Sequence, residues 1–205
     1  MSTPLSIGVI GAGTMGNGIA QVCATAGLKV TMLDVSDAAL KRGLDTLGRN
    51  LERLVSKDKL SAEARDAALA RIGTSLDYAA LSGADLVIEA ATENAALKFE
   101  ILRKVEAIAR REAVIASNTS SISITQLAAV LAHGERFLGM HFFNPVPMMA
   151  LVELIRGLQT SDAAVATGEA FARRLGKTPI VVKNSPGFVV NRILCQMINE
   201  AIFVR

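Results

Sequence analysis

The chain has 205 residues, of which 51% are apolar and 20% are charged, and its formal net charge is +3. This apolar fraction over this length is enough to bury a core, and it excludes an intrinsically disordered chain. The 22 basic and 19 acidic residues are spread along the sequence without a basic run, which argues against nucleic acid as the main partner.

The first 28 residues carry no charged side chain, so they must be distinguished from a signal peptide or a membrane span. Their centre, GAGTMGNG, is too rich in glycine and polar groups to cross a bilayer, and no basic segment precedes it. Cys23 and Cys195 have neither metal-site spacing nor a pairing pattern. The sequence therefore predicts a cytoplasmic protein with no membrane partner and no bound metal.

The predicted elements begin with a βαβ unit, formed by strand LSIGVI (5–10), helix TMGNGIAQVCATAG (14–27) and strand LKVTMLD (28–34). Residues 36–72 then carry leucines at helical spacing among charged residues. This pattern predicts two amphipathic helices, separated near SKDKLS (56–61) and inserted after the second strand.

A glycine-rich turn joins the first strand to the first helix. Gly11, Gly13 and Gly16 match the G-x-G-x-x-G arrangement, in which N–H groups at a helix N-terminus approach a pyrophosphate. Asp34 ends the second strand, where a carboxylate binds ribose hydroxyls and repels a 2′-phosphate. The pattern predicts NAD rather than NADP. The alternative is a plain glycine turn and an aspartate that caps a helix.

Strands and helices alternate along the rest of the chain. The predicted strands are ADLVIEA (84–90), AVIAS (113–117), RFLGMHF (136–142), ALVELI (150–155) and TPIVVK (178–183), and the predicted helices cover 95–110, about 124–131 and 161–175. This order predicts an α/β fold with a doubly wound parallel sheet and mixed strands late in the order. Ser185 and Pro186 predict the start of a last helix, which is still apolar on one face at Arg205.

Oxidation of an alcohol by a dinucleotide requires a group that takes the hydroxyl proton. No cysteine or histidine cluster has zinc-site spacing, and Tyr78, the only tyrosine, has no lysine four residues later. His141 ends a predicted strand at the carboxyl edge of the sheet, whereas His133 lies in a polar turn. Glu153 interrupts the apolar run MALVELI, where a carboxylate needs a partner. The alternatives are a satisfied, half-buried histidine and a solvent-facing glutamate.

Six strings follow one another in the order GAGTMGNGIAQ, VIEAATEN, SNTSS, MHFFNPVP, LVELIRG and SPGFVVNRIL. Together they resemble the L-3-hydroxyacyl-CoA dehydrogenase family over essentially the whole chain, most closely the bacterial 3-hydroxybutyryl-CoA dehydrogenases. The resemblance implies a Rossmann-type NAD-binding domain at 1–184, with the helical insertion at about 36–72. Residues 185–205 would be the first helix of a truncated, helical C-terminal domain, which in the family also forms much of a homodimer interface.

The resemblance also implies roles for individual residues in the reversible oxidation of a short-chain L-3-hydroxyacyl-CoA. His141 would be the general base and Glu153 its partner, while Ser120 and Asn191 would contact the 3-oxygen of the substrate. Cofactor contacts would come from the three glycines and from Thr14, Met15, Asp34, Glu93, Lys98, Ser120 and Asn144. The alternatives are that Ser120 caps a helix and that Asn191 faces solvent.

The resemblance further implies that the helical insertion helps to hold coenzyme A. Arg53 and Lys57 lie four residues apart, so on one helix they would share a face and pair with phosphates; a solvated basic face is the alternative. Ser61 predicts a cap for the next helix. Two other functions remain open: a related gulonate-type dehydrogenase that does not use coenzyme A, and a non-catalytic NAD-binding module. Without the rest of a C-terminal domain, weak activity is expected of this chain alone.

Overall fold

The computed structural model describes residues 6–204, and its strands form one eight-stranded sheet. The strands are β1 (Ser6–Ile10), β2 (Lys29–Leu33), β3 (Ile72–Ser75), β4 (Leu86–Glu89), β5 (Val114–Ser117), β6 (Phe137–Phe142), β7 (Leu151–Arg156) and β8 (Thr178–Lys183). The helices are α1 (Thr14–Thr25), α2 (Asp37–Val55), α3 (Ala62–Ala70), α4 (Ala95–Ile108), α5 (Ile124–Ala128), α6 (Asp162–Arg174) and α7 (Val190–Phe203).

The sheet has the strand order β3-β2-β1-β4-β5-β6-β7-β8. Strands from β3 to β6 run parallel, β7 runs antiparallel to β6, and β8 runs parallel to β7. The chain winds outward from β1 in one direction through β2 and β3, and from β4 in the other direction. This confirms the predicted Rossmann-type doubly wound sheet with mixed late strands, and it places a ligand-binding crevice between β1 and β4.

Both faces of the sheet are covered, as a parallel sheet requires. In β4, Leu86 and Ile88 belong to one hydrophobic core cluster, and Val87, between them, belongs to the other. The first cluster includes residues of α1, α2 and α6, and the second includes residues of α4 and α5. Because alternate strand residues point to opposite faces and both faces are covered, the central strands β4 and β5 are apolar up to their last residues, Glu89 and Ser117.

Two elements differ from the sequence predictions. The edge strand β3 was not predicted, because IGTS (72–75) is short and its two central residues are exposed. The last helix begins at Val190 rather than at Ser185, since Gly187 and Phe188 have φ angles of +73° and +50°. Neither angle is compatible with a right-handed helix.

α7 has no buried residue, and its apolar side chains Leu194, Met197, Ile198 and Ile202 are exposed. No helix between residues 6 and 204 is both long enough and apolar enough to cross a membrane. The four apolar side chains of α7 follow helical spacing, so they form one apolar face.

Candidate active site

The glycine turn between β1 and α1 depends on two glycines for different reasons. Gly11 has a φ of +99°, which strains any residue with a side chain. A Cβ on Gly16 would lie 1.7 Å from the carbonyl oxygen of Gly11, so the helix approaches the turn too closely for a larger residue. A Cβ on Gly13 would meet no described atom within 4 Å, because this glycine faces an open cavity.

The cavity above the turn has a volume of about 660 Å³, which lies within the range of ligand pockets. Gly13 and Thr14 line it at the N-terminus of α1, and Asp34 lines it at the end of β2. The Asp34 carboxylate accepts hydrogen bonds from the N–H groups of Ala12 and Val35, both at 2.7 Å. Helix N-terminal amides beside a carboxylate fit the pyrophosphate and ribose of NAD.

An apolar wall of the cavity is formed by Tyr78, Leu97 and Ile101. The Lys104 ammonium lies 5.7 Å from the centroid of the Tyr78 ring, within the range of a cation–π contact. Burial raises the pKa of the Tyr78 phenol, and nearby carboxylates add to this effect. The apolar wall suits a flat ring such as adenine. It was not predicted, because Tyr78 lies far from Leu97 and Ile101 in the sequence.

His141 and Glu153 are directly opposite each other in the antiparallel pair of β6 and β7. The imidazole Nδ1 lies 2.8 Å from Glu153 Oε2, and the two residues are 4% and 0% exposed. The other carboxylate oxygen, Oε1, accepts hydrogen bonds from the N–H groups of Val189 and Val190 at 3.0 and 2.9 Å. An ionised carboxylate only accepts, so beside Glu153 the neutral tautomer of His141 has its hydrogen on Nδ1 and its lone pair on Nε2.

Ser120 completes this arrangement, with its Oγ 3.0 Å from His141 Nε2. Its position is set by Glu93, whose Oε1 accepts hydrogen bonds from Ser120 N at 2.8 Å and from Thr119 Oγ1 at 2.5 Å. Burial alone would raise the pKa of Glu93, but these hydrogen bonds and the charge of Lys98 lower it on balance. Hydrogen bonds therefore connect Glu93, through Ser120, to the pair His141–Glu153, which is called the dyad below.

Lys98 is turned into the protein interior. Its Nζ lies 2.8 and 2.7 Å from the two carboxylate oxygens of Glu89, and both side chains are almost fully buried. Ser117 Oγ donates to Glu89 Oε2 at 2.6 Å, and the Lys98 Nζ is 3.5 Å from Glu93. Glu89 was not predicted as part of the site, although it is a single carboxylate in the apolar run LVIEAA, as Glu153 is in MALVELI.

The loop that follows β6 brings Asn144 into the cavity wall. The Asn144–Pro145 peptide bond is cis. Lys177 stabilises this loop, since its Nζ donates hydrogen bonds to the carbonyl oxygens of Val146 at 2.6 Å and Met149 at 2.8 Å. Burial lowers the pKa of Lys177. This lysine was not predicted as part of the site.

Comparison with known proteins identifies the family. The family profile described as "3-hydroxyacyl-CoA dehydrogenase, NAD binding domain" matches residues 6–185. The chain belongs to this family. Its membership confirms the resemblance stated from the motifs, and it confirms NAD as the cofactor predicted from the glycine turn and Asp34.

Relatives of this family are similar over nearly the whole chain. A 3-hydroxybutyryl-CoA dehydrogenase from Bradyrhizobium diazoefficiens is 51% identical over 96% of this chain and 67% of its own length. A fatty acid oxidation complex subunit alpha from Acinetobacter baylyi is 49% identical over 91% of this chain, which spans only 26% of that protein. The solved structure of (S)-3-hydroxybutyryl-CoA dehydrogenase from Ralstonia eutropha is 60% identical, with a TM-score of 0.95 over 97% of this chain and 70% of that one.

In this member of the 3-hydroxyacyl-CoA dehydrogenase family, Arg53 and Lys57 do not lie on one face of a helix. α2 ends at Val55, so Lys57 lies beyond its end, and the predicted shared helix face was wrong. Both side chains are exposed, while the cavity wall receives Arg42, Thr46 and Asn50 from the same helix. Ser61 caps α3 as predicted, accepting a hydrogen bond from Ala64 N at 3.1 Å.

The remaining predicted residues have different surroundings. Asn191 lies in the first turn of α7, next to Val190, whose N–H binds Glu153. Met15 packs its side chain against the core, which leaves its backbone N–H, in the first turn of α1, as the group available to a cofactor. His133 is exposed beside Glu135, at 3.2 Å, in agreement with the polar turn predicted for it.

Proposed function

We propose that this protein catalyses the reversible NAD-dependent oxidation of an L-3-hydroxyacyl-CoA, with a short acyl chain such as 3-hydroxybutanoyl, to the 3-oxoacyl-CoA. The observation that carries the proposal is the buried pair His141–Glu153, in which Nδ1 of the imidazole binds the carboxylate and Nε2 has Ser120 Oγ as its neighbour. The names of the relatives support the acyl-CoA substrate and the short chain.

In this mechanism His141 Nε2 takes the proton of the substrate hydroxyl as a general base. Glu153 keeps the hydrogen of the imidazole on Nδ1 and stabilises the imidazolium that forms. Ser120 Oγ donates a hydrogen bond to the 3-oxygen, on which negative charge develops as the proton leaves. Bound NAD supplies the acceptor for the hydride that leaves C3.

Asn191 is proposed as a second contact to the 3-oxygen. Its place at the start of α7 supports this role, because the adjacent amides are held by the carboxylate that orients His141. Coenzyme A is proposed to lie along α2, where Thr46 and Asn50 line the cavity. Arg53 in the last turn of α2 and Lys57 just beyond it are cations available to its phosphates.

The domain division is proposed as predicted, with the NAD-binding domain up to residue 184 and α7 as the opening helix of a helical unit. The exposed apolar face of α7 supports a packing partner for this helix, and a homodimer of the full-length protein is proposed on the same ground. Cys23 and Cys195 are free thiols, which supports a reducing compartment such as the cytoplasm.

The test follows NADH absorbance while the protein reduces acetoacetyl-CoA. His141→Ala should lower kcat by about 10²- to 10⁴-fold, the usual contribution of a general base, and leave NAD affinity unchanged. His133→Ala is the matched control, because His133 is the only other histidine and is exposed on a turn. Full activity of His141→Ala would refute the assignment.

A second arm tests the role of coenzyme A with free acetoacetate as substrate. We expect turnover of the thioester and little turnover of the free acid, because contacts to the coenzyme A part supply binding energy. Equal turnover of both would favour a dehydrogenase that does not use coenzyme A. Binding of NAD without turnover of either compound would favour a non-catalytic module.

A further inference from the structure

The segment between β8 and α7, residues 184–190, is held at both of its ends. At the first end, Asn184 Oδ1 accepts a hydrogen bond from Ile124 N at 3.0 Å, and its Nδ2 donates to Ser123 and Thr125 hydroxyls. At the other end, Val189 N and Val190 N donate to Glu153 Oε1. This connector, residues 184–190, is therefore fixed to the start of α5 and to the His141–Glu153 pair at the same time.

Phe188 lies inside the connector in an unusual conformation. Its φ of +50° is in the left-handed region, which disfavours a bulky residue and persists only where the surroundings impose it. Its side chain is only 3% exposed. The hydrogen bond from Phe188 N to Ser185 O, at 2.9 Å, and the two amides bound to Glu153 hold the backbone in place on either side.

The ring of Phe188 contacts the imidazole of His141. The two centroids are 5.7 Å apart and the planes meet at 63°, an edge-to-face arrangement. A second ring, Phe143, lies 4.5 Å from the same imidazole at 55°. The imidazole is thus in contact with two aromatic rings besides its two hydrogen-bonding partners.

The orientation of the His141 ring depends on rotation about its Cα–Cβ and Cβ–Cγ bonds. The hydrogen bonds to Glu153 at Nδ1 and to Ser120 at Nε2 restrain this rotation only while both bonds are made. Contacts with the rings of Phe143 and Phe188 oppose the same rotation by packing. They also exclude water from the Nδ1–H···Oε2 bond, and a dry hydrogen bond to a carboxylate is stronger than a solvated one.

We propose that Phe188 is a positioning residue for His141, which restrains rotation of the imidazole by packing against it and keeps water from its bond with Glu153. Through the connector, the start of α7 is coupled to the dyad, because one carboxylate binds both. The kinetic part of this inference rests on the proposed function, whereas the part that concerns the imidazole stands without any substrate.

The experiment uses the two histidines of the chain, which give two sets of imidazole signals in a ¹⁵N-resolved NMR spectrum. In the wild type we expect a His141 Nδ1–H signal that exchanges slowly with water and nitrogen shifts of a single tautomer. Phe188→Leu removes the flat ring but keeps an apolar side chain, and Phe188→Gly removes the ring while accepting the left-handed backbone. Exposed His133 is the internal reference.

Both variants should accelerate exchange of the His141 Nδ1–H at least about tenfold, since this proton is protected only while the bond is buried. With acetoacetyl-CoA, kcat should fall about 10- to 100-fold with an unchanged KM for NADH, the usual effect of a small misplacement of a catalytic group. The control is Phe137→Leu, which alters a fully buried ring of the same core cluster.

Two results would overturn the inference. One is equal exchange of the His141 proton in Phe188→Leu, Phe137→Leu and the wild type, which would make Phe188 a core residue only. The other is a loss of kcat in Phe188→Leu matched by Phe137→Leu at the same stability. If the enzyme showed no turnover but the proton were exposed only in the Phe188 variants, the proposed function would fail and the positioning role would stand.

Discussion

Replacement of Lys98 by methionine tests the buried ion pair beneath the active site. Lys98→Met keeps the length of the side chain but removes the two hydrogen bonds to Glu89, which is 0% exposed. Breaking a buried pair by removing one partner costs about 3–5 kcal/mol, because an uncompensated charge remains. Ser117 Oγ and Ala91 N still donate to the carboxylate, so we expect a loss near the lower end, about 3 kcal/mol.

The assay is urea unfolding, with the exposed pair Glu169–Arg173 as the control. These side chains are also in contact, at 3.1 Å, but are 34% and 64% exposed, so Arg173→Met should cost only about 0.3–0.5 kcal/mol. The double variant Glu89→Gln/Lys98→Met should lose less than the sum of the two single losses, with a coupling of about 1–3 kcal/mol. The reasoning is refuted if Lys98→Met costs no more than Arg173→Met, or if the single losses add.

Three further predictions concern the cofactor site. Asp34→Ala should weaken NAD binding and reduce discrimination against NADP, measured by fluorescence titration with both cofactors; retained discrimination would remove Asp34 from this role. Gly13→Ala should fold normally and lose NAD affinity, because its Cβ points into the cavity, whereas Gly16→Ala should also lose stability through the clash with the Gly11 carbonyl; equal melting temperatures for both variants would contradict this. Because the pKa of Glu93 is lowered in the folded state, its carboxylate stabilises the fold above the ordinary glutamate pKa of about 4.3, and this contribution is lost as the pH falls through the lowered pKa. In Glu93→Gln the free energy of unfolding, measured against pH, should therefore fall less steeply in acid (the acid limb). An unchanged acid limb would count against this.

The fold was largely predictable because its strands and helices are encoded locally. The glycine turn, the apolar strands and the helical insertion each follow from short-range periodicity, and the structure confirms the doubly wound sheet that they predict. The edge strand β3 was missed because its central residues are exposed and carry no strand pattern. The start of α7 was misplaced because the sequence does not reveal that the backbone of Phe188 is left-handed.

The site was less predictable, because its contacts join residues far apart in the chain. Glu153 was singled out as a carboxylate in an apolar run and as a candidate partner of His141, but only the family resemblance favoured this pairing over a solvent-facing glutamate. The same signal at Glu89 was overlooked, and with it the inward position of Lys98. The roles of these residues in binding and catalysis remain predictions, which the variants above test.

The reversal of direction between β6 and β7 has a consequence for how this site can vary. Because β7 is antiparallel, its beginning lies beside the end of β6, and Glu153 reaches His141 from the third position of its strand. A slip of one residue would place Val152 or Leu154 opposite the histidine and turn the carboxylate to the other face of the sheet. The loop between the two strands can therefore gain or lose residues during evolution, provided that the strands keep the same alignment. A shifted register would separate His141 from Glu153 without changing a single amino acid in either strand.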